Sequence, residues 1–237
     1  MNSKKPLLVL VLMLALSYQN FMPANEHLTS INFAAIDHSV RVDHAKELMG
    51  RAYFGSTIQR AENVKNMQWA LHKMVHLNLP EKYKGKSVDL MRAILVAAKA
   101  NDMDPVFIMA VIKTESMFNP EARGTHGEIG LMQVKPDTAK WIALKEGLPW
   151  HGPKTLLNPA LNVRIGTAYF AHLRDQSEGY ANKYVSAYNM GLAKVRKMYK
   201  ASVRPHEYSL RVMRNYKEFY AQIVANDNKT ILAKNFL

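Results

Sequence analysis

The sequence contains no cysteine among its 237 residues. This absence excludes disulfide bonds, thiolate zinc sites, a cysteine nucleophile and a lipid-modified cysteine. Stability must therefore come from a buried core. The composition can supply one, since 48% of the residues are hydrophobic and 22% are charged, a balance far from that of a disordered chain. The length indicates one or two domains.

Acidic residues are also scarce. Asp and Glu number 19 against 32 Lys and Arg, which gives a formal net charge of +13. Such an excess of positive charge indicates a polyanionic partner, of which there are three kinds: nucleic acid, an acidic membrane surface or an acidic cell-wall polymer. Charge alone does not choose among these three.

The N-terminus has no charged residue between Lys5 and Glu26. Lys4 and Lys5 precede an apolar run over residues 6–15, and a more polar stretch follows, which is the order of a secretory signal peptide. The run is too short to span the hydrocarbon core, which needs about 20 apolar residues. No A-x-A cleavage site is evident, so an uncleaved signal anchor stays open. We predict that residues 1–24 direct export to the periplasm or cell envelope, and that losing two lysines takes the charge from +13 to +11.

Strict polar–apolar alternation is absent, so the sequence favours a predominantly α-helical fold. Residues 25–85 contain helical stretches at 44–53 and 63–77, a loop at 80–85 and no catalytic motif, which predicts a helical extension of unknown role. His72 and His76 stand at i, i+4 but have no third ligand, so we predict no metal site there.

Helix signals become regular from residue 86. The pattern predicts helices over Val88–Asn101 and Pro105–Ser116, the second with Asp104 as N-cap and proline at its first position. Further helices are predicted to start near Asp137, with that residue as N-cap, and at Asn158. We therefore predict a second helical unit over residues 86–226 and a C-terminal tail over residues 227–237.

One carboxylate stands out by its position. Phe107, Val111 and Glu115 fall at i, i+4 and i+8 of the Pro105–Ser116 helix, so Glu115 lies on the apolar face at its C-terminal end. Desolvation and the negative end of the helix dipole both disfavour its anion. A raised pKa would suit a general acid. An ordinary glutamate turned to solvent is the alternative that the helix pattern leaves open.

The residues after this glutamate predict a tight loop. Asn119 and Pro120 halt the helix, and glycines at 124, 127 and 130 let the backbone fold around the acid. E-S-x-x-N-P over residues 115–120 and G-L-M-Q-x-x-P-x-T-A over residues 130–139 resemble the hallmark motifs of the soluble lytic transglycosylase (SLT) family. That family comprises goose-type-lysozyme-like enzymes that cleave peptidoglycan.

The resemblance continues downstream, with N-P-x-x-N over residues 158–162, A-Y-N over residues 187–189 and Tyr208, and it covers about residues 86–220. It implies a lysozyme-like helical catalytic domain over residues 86–226. In that domain Glu115 matches the catalytic acid/base. The resemblance also implies five residues that shape the cleft or bind substrate: Met132, Gln133, Tyr188, Asn189 and Tyr208.

By the same resemblance, Glu115 protonates the MurNAc–GlcNAc β-1,4 oxygen and then takes the proton of the muramyl C6 hydroxyl, which attacks C1 and leaves a 1,6-anhydromuramyl end. No second carboxylate has a compelling claim to a catalytic role, since Glu121 and Glu128 are interpreted as solvated loop charges and Asp137 as a cap. A one-carboxylate site suits this intramolecular cyclisation. No cofactor is required.

Several positions depart from the family pattern or invite another role. Gly124 stands where the family commonly has a serine, and we interpret it as a plain loop glycine. Tyr184, Trp141 and Tyr169 are predicted to be core residues. A basic cluster is predicted to form a solvated face, with retention at an anionic wall or membrane as the weaker alternative: Lys194, Arg196, Lys197, Lys200 and Arg204.

Two other functions stay open. A hydrolase of the same fold, a goose-type lysozyme, would bring water rather than the C6 hydroxyl to the sugar carbon. A non-catalytic glycan-binding or assembly protein would keep the fold alone. The signal segment and the acid-centred motifs disfavour a nucleic-acid partner. The predicted partner is the peptidoglycan glycan strand; a role in general wall turnover, or beside a secretion or conjugation machine, is left open.

Overall fold

The structure is a computed structural model that describes residue 33 and residues 35–235, with side chains to residue 227. From residue 35 onward the chain forms one compact unit. The predicted signal segment over residues 1–24 lies outside the described residues. Within the described ranges, no helix is both long and apolar enough to cross a membrane.

The described residues form helices and no strand, which confirms the predicted fold class. Two isolated antiparallel bridges, at Arg123–Ile129 and Ile129–Val134, occur in one loop. The α-helices of this part of the chain are α1 (His38–Met49), α2 (Thr57–Arg60), α3 (Met67–Asn78), α4 (Ser87–Ala100), α5 (Pro105–Ser116), α6 (Pro136–Lys145), α7 (Pro159–Asp175), α8 (Ala181–Met190), α9 (Leu192–Lys200) and α10 (Glu207–Asn235). Short 3-10 helices lie at Gly50–Tyr53, Ala61–Asn63, Glu81–Lys86 and Pro153–Leu157.

Local sequence signals account for several helix starts. The Asp104 carboxylate accepts the Val106 N–H at the start of α5, and Pro105 follows it as predicted. Asn158 caps α7 in the same way. The predicted cap at Asp137 is wrong, because α6 begins at Pro136 and Asp137 lies in its first turn. A carboxylate there still opposes the positive end of the helix dipole.

The predicted boundaries differ most where 3-10 turns occur. The stretch predicted as one helix over 44–53 divides into the end of α1 and a 3-10 helix from Gly50, whose φ of 53° ends the α-helical geometry. The segment predicted as a loop over 80–85 is instead a 3-10 helix, Glu81–Lys86. Helix α5, by contrast, has the predicted bounds.

The core is built around α5. Every residue from Pro105 to Ile112 is buried, because α10 and α4 pack against this helix, and α4 in turn packs on α7. A helix that is apolar on all sides is stable only inside a protein. The end of α5 is therefore held in place by the surrounding helices.

A buried polar cluster sets how α10 lies against α5. The Asp104 carboxylate, 0% exposed, accepts hydrogen bonds from the Tyr216 hydroxyl at 2.6 Å and the Tyr220 hydroxyl at 2.7 Å. Arg41 of α1 donates from Nη1 to the Tyr220 hydroxyl at 2.9 Å. Buried polar groups need such partners. The cluster therefore joins α1, α5 and α10 in one register.

Candidate active site

Glu115 lies in the last turn of α5, where the chain leaves the helix abruptly. Met117 and Phe118 adopt left-handed backbone angles, with φ of 51° and 61°. The Ser116 hydroxyl donates to the carbonyl of Leu131 at 2.8 Å. The helix end is thereby joined directly to the Gly130–Gln133 segment, so residues of the two motifs lie in contact.

The Gly130–Gln133 segment is held from inside by one asparagine. Asn162, 0% exposed, accepts the Met132 N–H at 2.8 Å and donates to the carbonyls of Ile129 and Leu156 at 2.8 and 3.0 Å. Gly130 permits this close approach, since its φ is +82° and an added Cβ would lie 2.3 Å from Asn162 Nδ2. Asn162 belongs to the N-P-x-x-N motif, but the sequence did not assign it this role.

Met132 and Gln133 point in different directions. The Met132 side chain is 0% exposed and packs on Gly166. A Cβ added at Gly166 would lie 2.8 Å from the Cβ of Met132. Met132 therefore supports the Gly130–Gln133 segment from the core. Gln133 is half-buried, and its Nε2 donates to the carbonyls of Ala122 at 3.1 Å and Gly130 at 2.9 Å.

Tyr188 of α8 contacts the Gly130–Gln133 segment. Its hydroxyl donates to the carbonyl of Met132 at 2.8 Å, and its ring stacks on Phe170 with centroids 3.9 Å apart. The Tyr169 ring lies 5.4 Å away. Asn189, the next residue of α8, is exposed.

Tyr208 of α10 is 4% exposed and donates its hydroxyl proton to Glu115 Oε1. Arg211, on the same helix, places its guanidinium 5.7 Å from the centre of the Tyr208 ring. The structure thus brings Tyr208 and Glu115 into contact across 93 residues of sequence. Arg211 was not predicted, and no motif in the sequence singles it out.

The environment of Glu115 favours its neutral form. Burial raises its pKa from 4.5 to about 7, while the Tyr208 hydrogen bond and the Arg211 charge lower it and the nearby Glu128 charge adds to the rise. Burial and the Glu115 carboxylate raise the pKa values of Tyr188 and Tyr208 well above the usual tyrosine value. Both tyrosines therefore stay neutral hydrogen-bond donors near neutral pH.

The prediction of Glu128 as a solvated loop charge is wrong, whereas Gly124 lies in the loop as interpreted. The Glu128 side chain is only 19% exposed, with its oxygens 3.0 Å from the His126 N–H and 3.5 Å from Lys135 Nζ. A Cβ at Gly124 would lie 2.3 Å from Glu128 Oε2. Glu128 is thus a held carboxylate beside the site, and Gly124 is the position that leaves room for it.

Of the other aromatic residues predicted to lie in the core, one is confirmed and one is wrong. Tyr184 is 0% exposed and shares a hydrogen bond with His44 Nε2 at 3.1 Å, which confirms it as core. Trp141 is 45% exposed, so its core prediction is wrong; it contacts the half-buried Tyr169 and His172 edge to face. Its position on the outer face of α6 leaves too few neighbours to cover an indole.

The remaining polar groups are accounted for by simpler contacts. His72 and His76 both approach the Ser87 hydroxyl, at 3.1 and 3.3 Å. Within the part of the chain that the structure describes, no group of three or more His, Asp or Glu side chains could hold a metal ion. The predicted basic cluster is exposed at every position, which confirms a solvated face: Lys194, Arg196, Lys197, Lys200 and Arg204.

These contacts define a site able to transfer protons. A carboxyl group that is half protonated near neutral pH can act first as an acid and then as a base. The Tyr208 hydroxyl donates to Oε1 of Glu115, which leaves Oε2 as the oxygen that can carry the dissociable proton. A leaving-group oxygen that approached Oε2 would receive this proton.

Residues 92–209 match the family model described as the transglycosylase SLT domain. The chain is 33% identical over 150 residues to the membrane-bound lytic murein transglycosylase C of Actinobacillus pleuropneumoniae, covering 60% of this chain and 40% of that protein. It is 33% identical over 99 residues to the soluble lytic murein transglycosylase of Salmonella typhimurium, covering 41% of this chain and 15% of that protein. The chain thus spans less than half the length of either relative.

The fold is similar to a solved structure of an inactive mutant of the lytic transglycosylase Slt from Pseudomonas aeruginosa. The TM-score is 0.50 at 24% identity, with 81% of this chain and 38% of that chain covered. This likeness confirms the predicted lysozyme-like helical fold. The domain match and the similarity to the curated relatives lead to one conclusion: the chain belongs to the SLT family of lytic transglycosylases.

Proposed function

We propose that this protein is a peptidoglycan lytic transglycosylase that cleaves the MurNAc–GlcNAc β-1,4 bond and leaves a 1,6-anhydromuramyl end. The observation that carries the proposal is the state of Glu115. Burial at the end of α5 raises its pKa to about 7, and the Tyr208 hydroxyl holds one of its two oxygens. A single carboxyl of this kind can serve both halves of the reaction.

In the first half, Glu115 Oε2 donates its proton to the glycosidic oxygen as the C1–O bond breaks. The departing sugar then leaves as an alcohol, which lowers the barrier that an alkoxide would impose. Positive charge develops at C1 of the muramyl sugar. The new Glu115 carboxylate is stabilised by the Tyr208 hydroxyl and by the positive charge of Arg211.

In the second half, the carboxylate removes the proton of the muramyl C6 hydroxyl, whose oxygen bonds to C1. Glu115 is then protonated again, and no water is consumed. Because the nucleophile belongs to the same sugar, its effective concentration is high without a second catalytic group. Met132, Gln133, Tyr188 and Asn189 are proposed as the walls that orient the sugar, Met132 through its backbone and core packing.

A hydrolase of the same fold is the second candidate, and one observation favours it. Glu128 is a held carboxylate close enough for its charge to raise the pKa of Glu115, and a second carboxylate can activate water in an inverting glycosidase. The Lys135 and His126 contacts oppose this role, because they stabilise the Glu128 anion and lower its basicity.

Digestion of purified sacculi tests the proposal. Mass spectrometry of the products is expected to show muropeptides with 1,6-anhydromuramyl ends. Products with reducing ends, and no anhydro form, would instead identify the hydrolase. Glu115→Gln is expected to abolish release while glycan binding persists, and Glu121→Gln, an exposed loop acid paired with Lys82, serves as the matched control. Full activity in Glu115→Gln would support a non-catalytic site at this position.

We also propose that the protein works in the cell envelope, with the glycan strand as its partner. Residues 1–24 would direct export or anchor the chain, residues 25–85 would form the helical extension, residues 86–226 the catalytic domain and residues 227–237 the tail. The exposed basic cluster on α9 and in the segment after it would favour retention near anionic wall or membrane groups. Fractionation of cells that express the full chain, with and without salt washes, tests this location.

A further inference from the structure

Two oxygen atoms converge over Gly124 beside the active site. An ideal Cβ at that glycine would lie 2.3 Å from Glu128 Oε2 and 2.9 Å from Gln133 Oε1. The missing side chain thus leaves a space in which a carboxylate oxygen and an amide oxygen are neighbours. Gly124, Glu128 and Gln133 are each half-buried, so the space is partly open to the solvent side.

The orientation of both oxygens is set by other contacts. Gln133 uses Nε2 to donate to the carbonyls of Ala122 and Gly130, which turns Oε1 away from them. Glu128 accepts the His126 N–H at 3.0 Å and lies 3.5 Å from Lys135 Nζ. No described residue donates a hydrogen bond to Gln133 Oε1. One acceptor of the pair is therefore free for a ligand, and the other is an anion.

Glu128 carries its charge at neutral pH. Burial acts to raise its pKa, but the N–H groups of Glu128 and His126 and the positive charges of Lys135 and His126 outweigh this and lower it. The groups that act on the adjacent Glu115 are Tyr208 and Arg211 on α10 and Glu128 on the loop. Of these three groups, only Glu128 brings a negative charge to the surroundings of Glu115.

We propose that Glu128 is a positioning residue of this active site, and that its carboxylate and Gln133 Oε1 form a paired acceptor for one donor hydrogen of the bound glycan. The inference rests on the proposed function, because it requires glycan in the cleft. Two adjacent acceptors repel carbonyl and ether oxygens and attract an N–H or O–H group. An N-acetylated sugar offers two kinds of donor, its hydroxyl groups and its acetamido N–H. Gly124 is the position that makes room for the pair.

Binding without turnover provides the first test. In the Glu115→Gln background, isothermal titration would use β-1,4 oligosaccharides of N-acetylglucosamine and of glucose. Glu128→Ala is expected to weaken binding about tenfold or more, since a hydrogen bond to a charged group contributes about 1.5–3 kcal/mol. Glu128→Gln keeps one acceptor oxygen and is expected to retain part of that affinity. Glu121→Ala is the control on the same loop and is expected to bind as the parent does.

The two ligands identify the donor. An effect of Glu128→Ala on the N-acetylglucosamine oligosaccharide alone assigns the acetamido N–H, and an equal effect on both assigns a hydroxyl. Either result supports the paired acceptor. Unchanged affinity for the N-acetylglucosamine oligosaccharide, in a variant whose unfolding matches the parent, would overturn it.

Steric coupling provides the second test. Gly124→Ala is expected to weaken binding as Glu128→Ala does, because its methyl group displaces the carboxylate. The double variant Gly124→Ala/Glu128→Ala is then expected to bind no worse than either single variant. Independent, additive losses would show that the two positions do not share the space.

Steady-state kinetics distinguish a positioning role of Glu128 from a role in the chemical step. Glu128→Ala is expected to raise KM and to change kcat little. A fall in kcat of about a thousandfold at unchanged KM would make Glu128 a chemical base and overturn the positioning role. If the wild type released no muropeptides while the binding losses above persisted, the proposed function would fail and the paired acceptor would stand.

Discussion

Removal of the Glu115 charge is expected to stabilise the folded protein at alkaline pH. Burial raises the pKa of Glu115 from its ordinary 4.5 to about 7. The unfolded chain therefore ionises this group first, and folding becomes less favourable as pH rises from about 4.5 to about 7. At about 1.4 kcal/mol per pH unit, this interval corresponds to about 3 kcal/mol. Glu115→Gln keeps a neutral side chain of the same shape, so it escapes that loss.

The assay is denaturant unfolding of the wild type and Glu115→Gln across a series of pH values. Contributions from every other titrating group cancel in the difference between the two proteins, provided that their neighbours are unchanged. Near pH 4 the two free energies of unfolding are expected to be close. Above pH 8 the variant is expected to be more stable by about 3 kcal/mol, with most of the change between pH 5 and 7.

A stability difference that did not change with pH would refute the reasoning, because it would mean that Glu115 titrates alike in the folded and unfolded chains. Glu121→Gln is the control. Its ion pair with Lys82 lowers the pKa of this exposed acid, so its removal should bring no gain at alkaline pH. A gain of the same size in both variants would point to net charge rather than to burial.

Three further predictions follow from the same contacts. Tyr208→Phe removes a hydrogen bond that lowers the pKa of Glu115. The alkaline limb of the pH profile of kcat should therefore move to higher pH, while kcat falls about tenfold. An alkaline limb at the same pH as in the wild type would contradict this. Asn162→Ala leaves the Met132 N–H and two carbonyls unpaired, and urea unfolding should show a loss of about 3 kcal/mol together with loss of muralytic activity. Gly166→Ala places a Cβ 2.7 Å from Met132 Sδ and should destabilise by about 1–3 kcal/mol, whereas a gain would mean that Met132 repacks freely.

Signals that act over a few residues explain what could be predicted. The Asp104–Pro105 pair begins α5 because a carboxylate can cap the following N–H and proline lacks one. The apolar spacing along α5 placed Glu115 on a buried face, and burial there raises the pKa of its carboxyl to about 7. The motifs that follow were specific enough to indicate the family.

The incorrect predictions concern residues whose surroundings come from elsewhere in the chain. Glu128 was interpreted as solvated because it sits in a polar loop, but Lys135 and the His126 N–H hold it. The loop assignment of Gly124 is correct, but only the structure shows that the Glu128 carboxylate lies where a Cβ at this glycine would be. Trp141 is apolar enough for the core, yet α6 leaves it at the surface.

The sequence alone predicted the helical class, the family and Glu115 as the candidate acid, because each prediction depends on spacing within a segment of a few turns. Only the tertiary structure decided what surrounds that acid. Tyr208 and Arg211 reach it from α10, whose register is set by the buried Asp104 cluster, and Asn162 supports the facing loop from α7. A pKa depends on charge and burial within a few ångströms, and those neighbours are brought together only by packing.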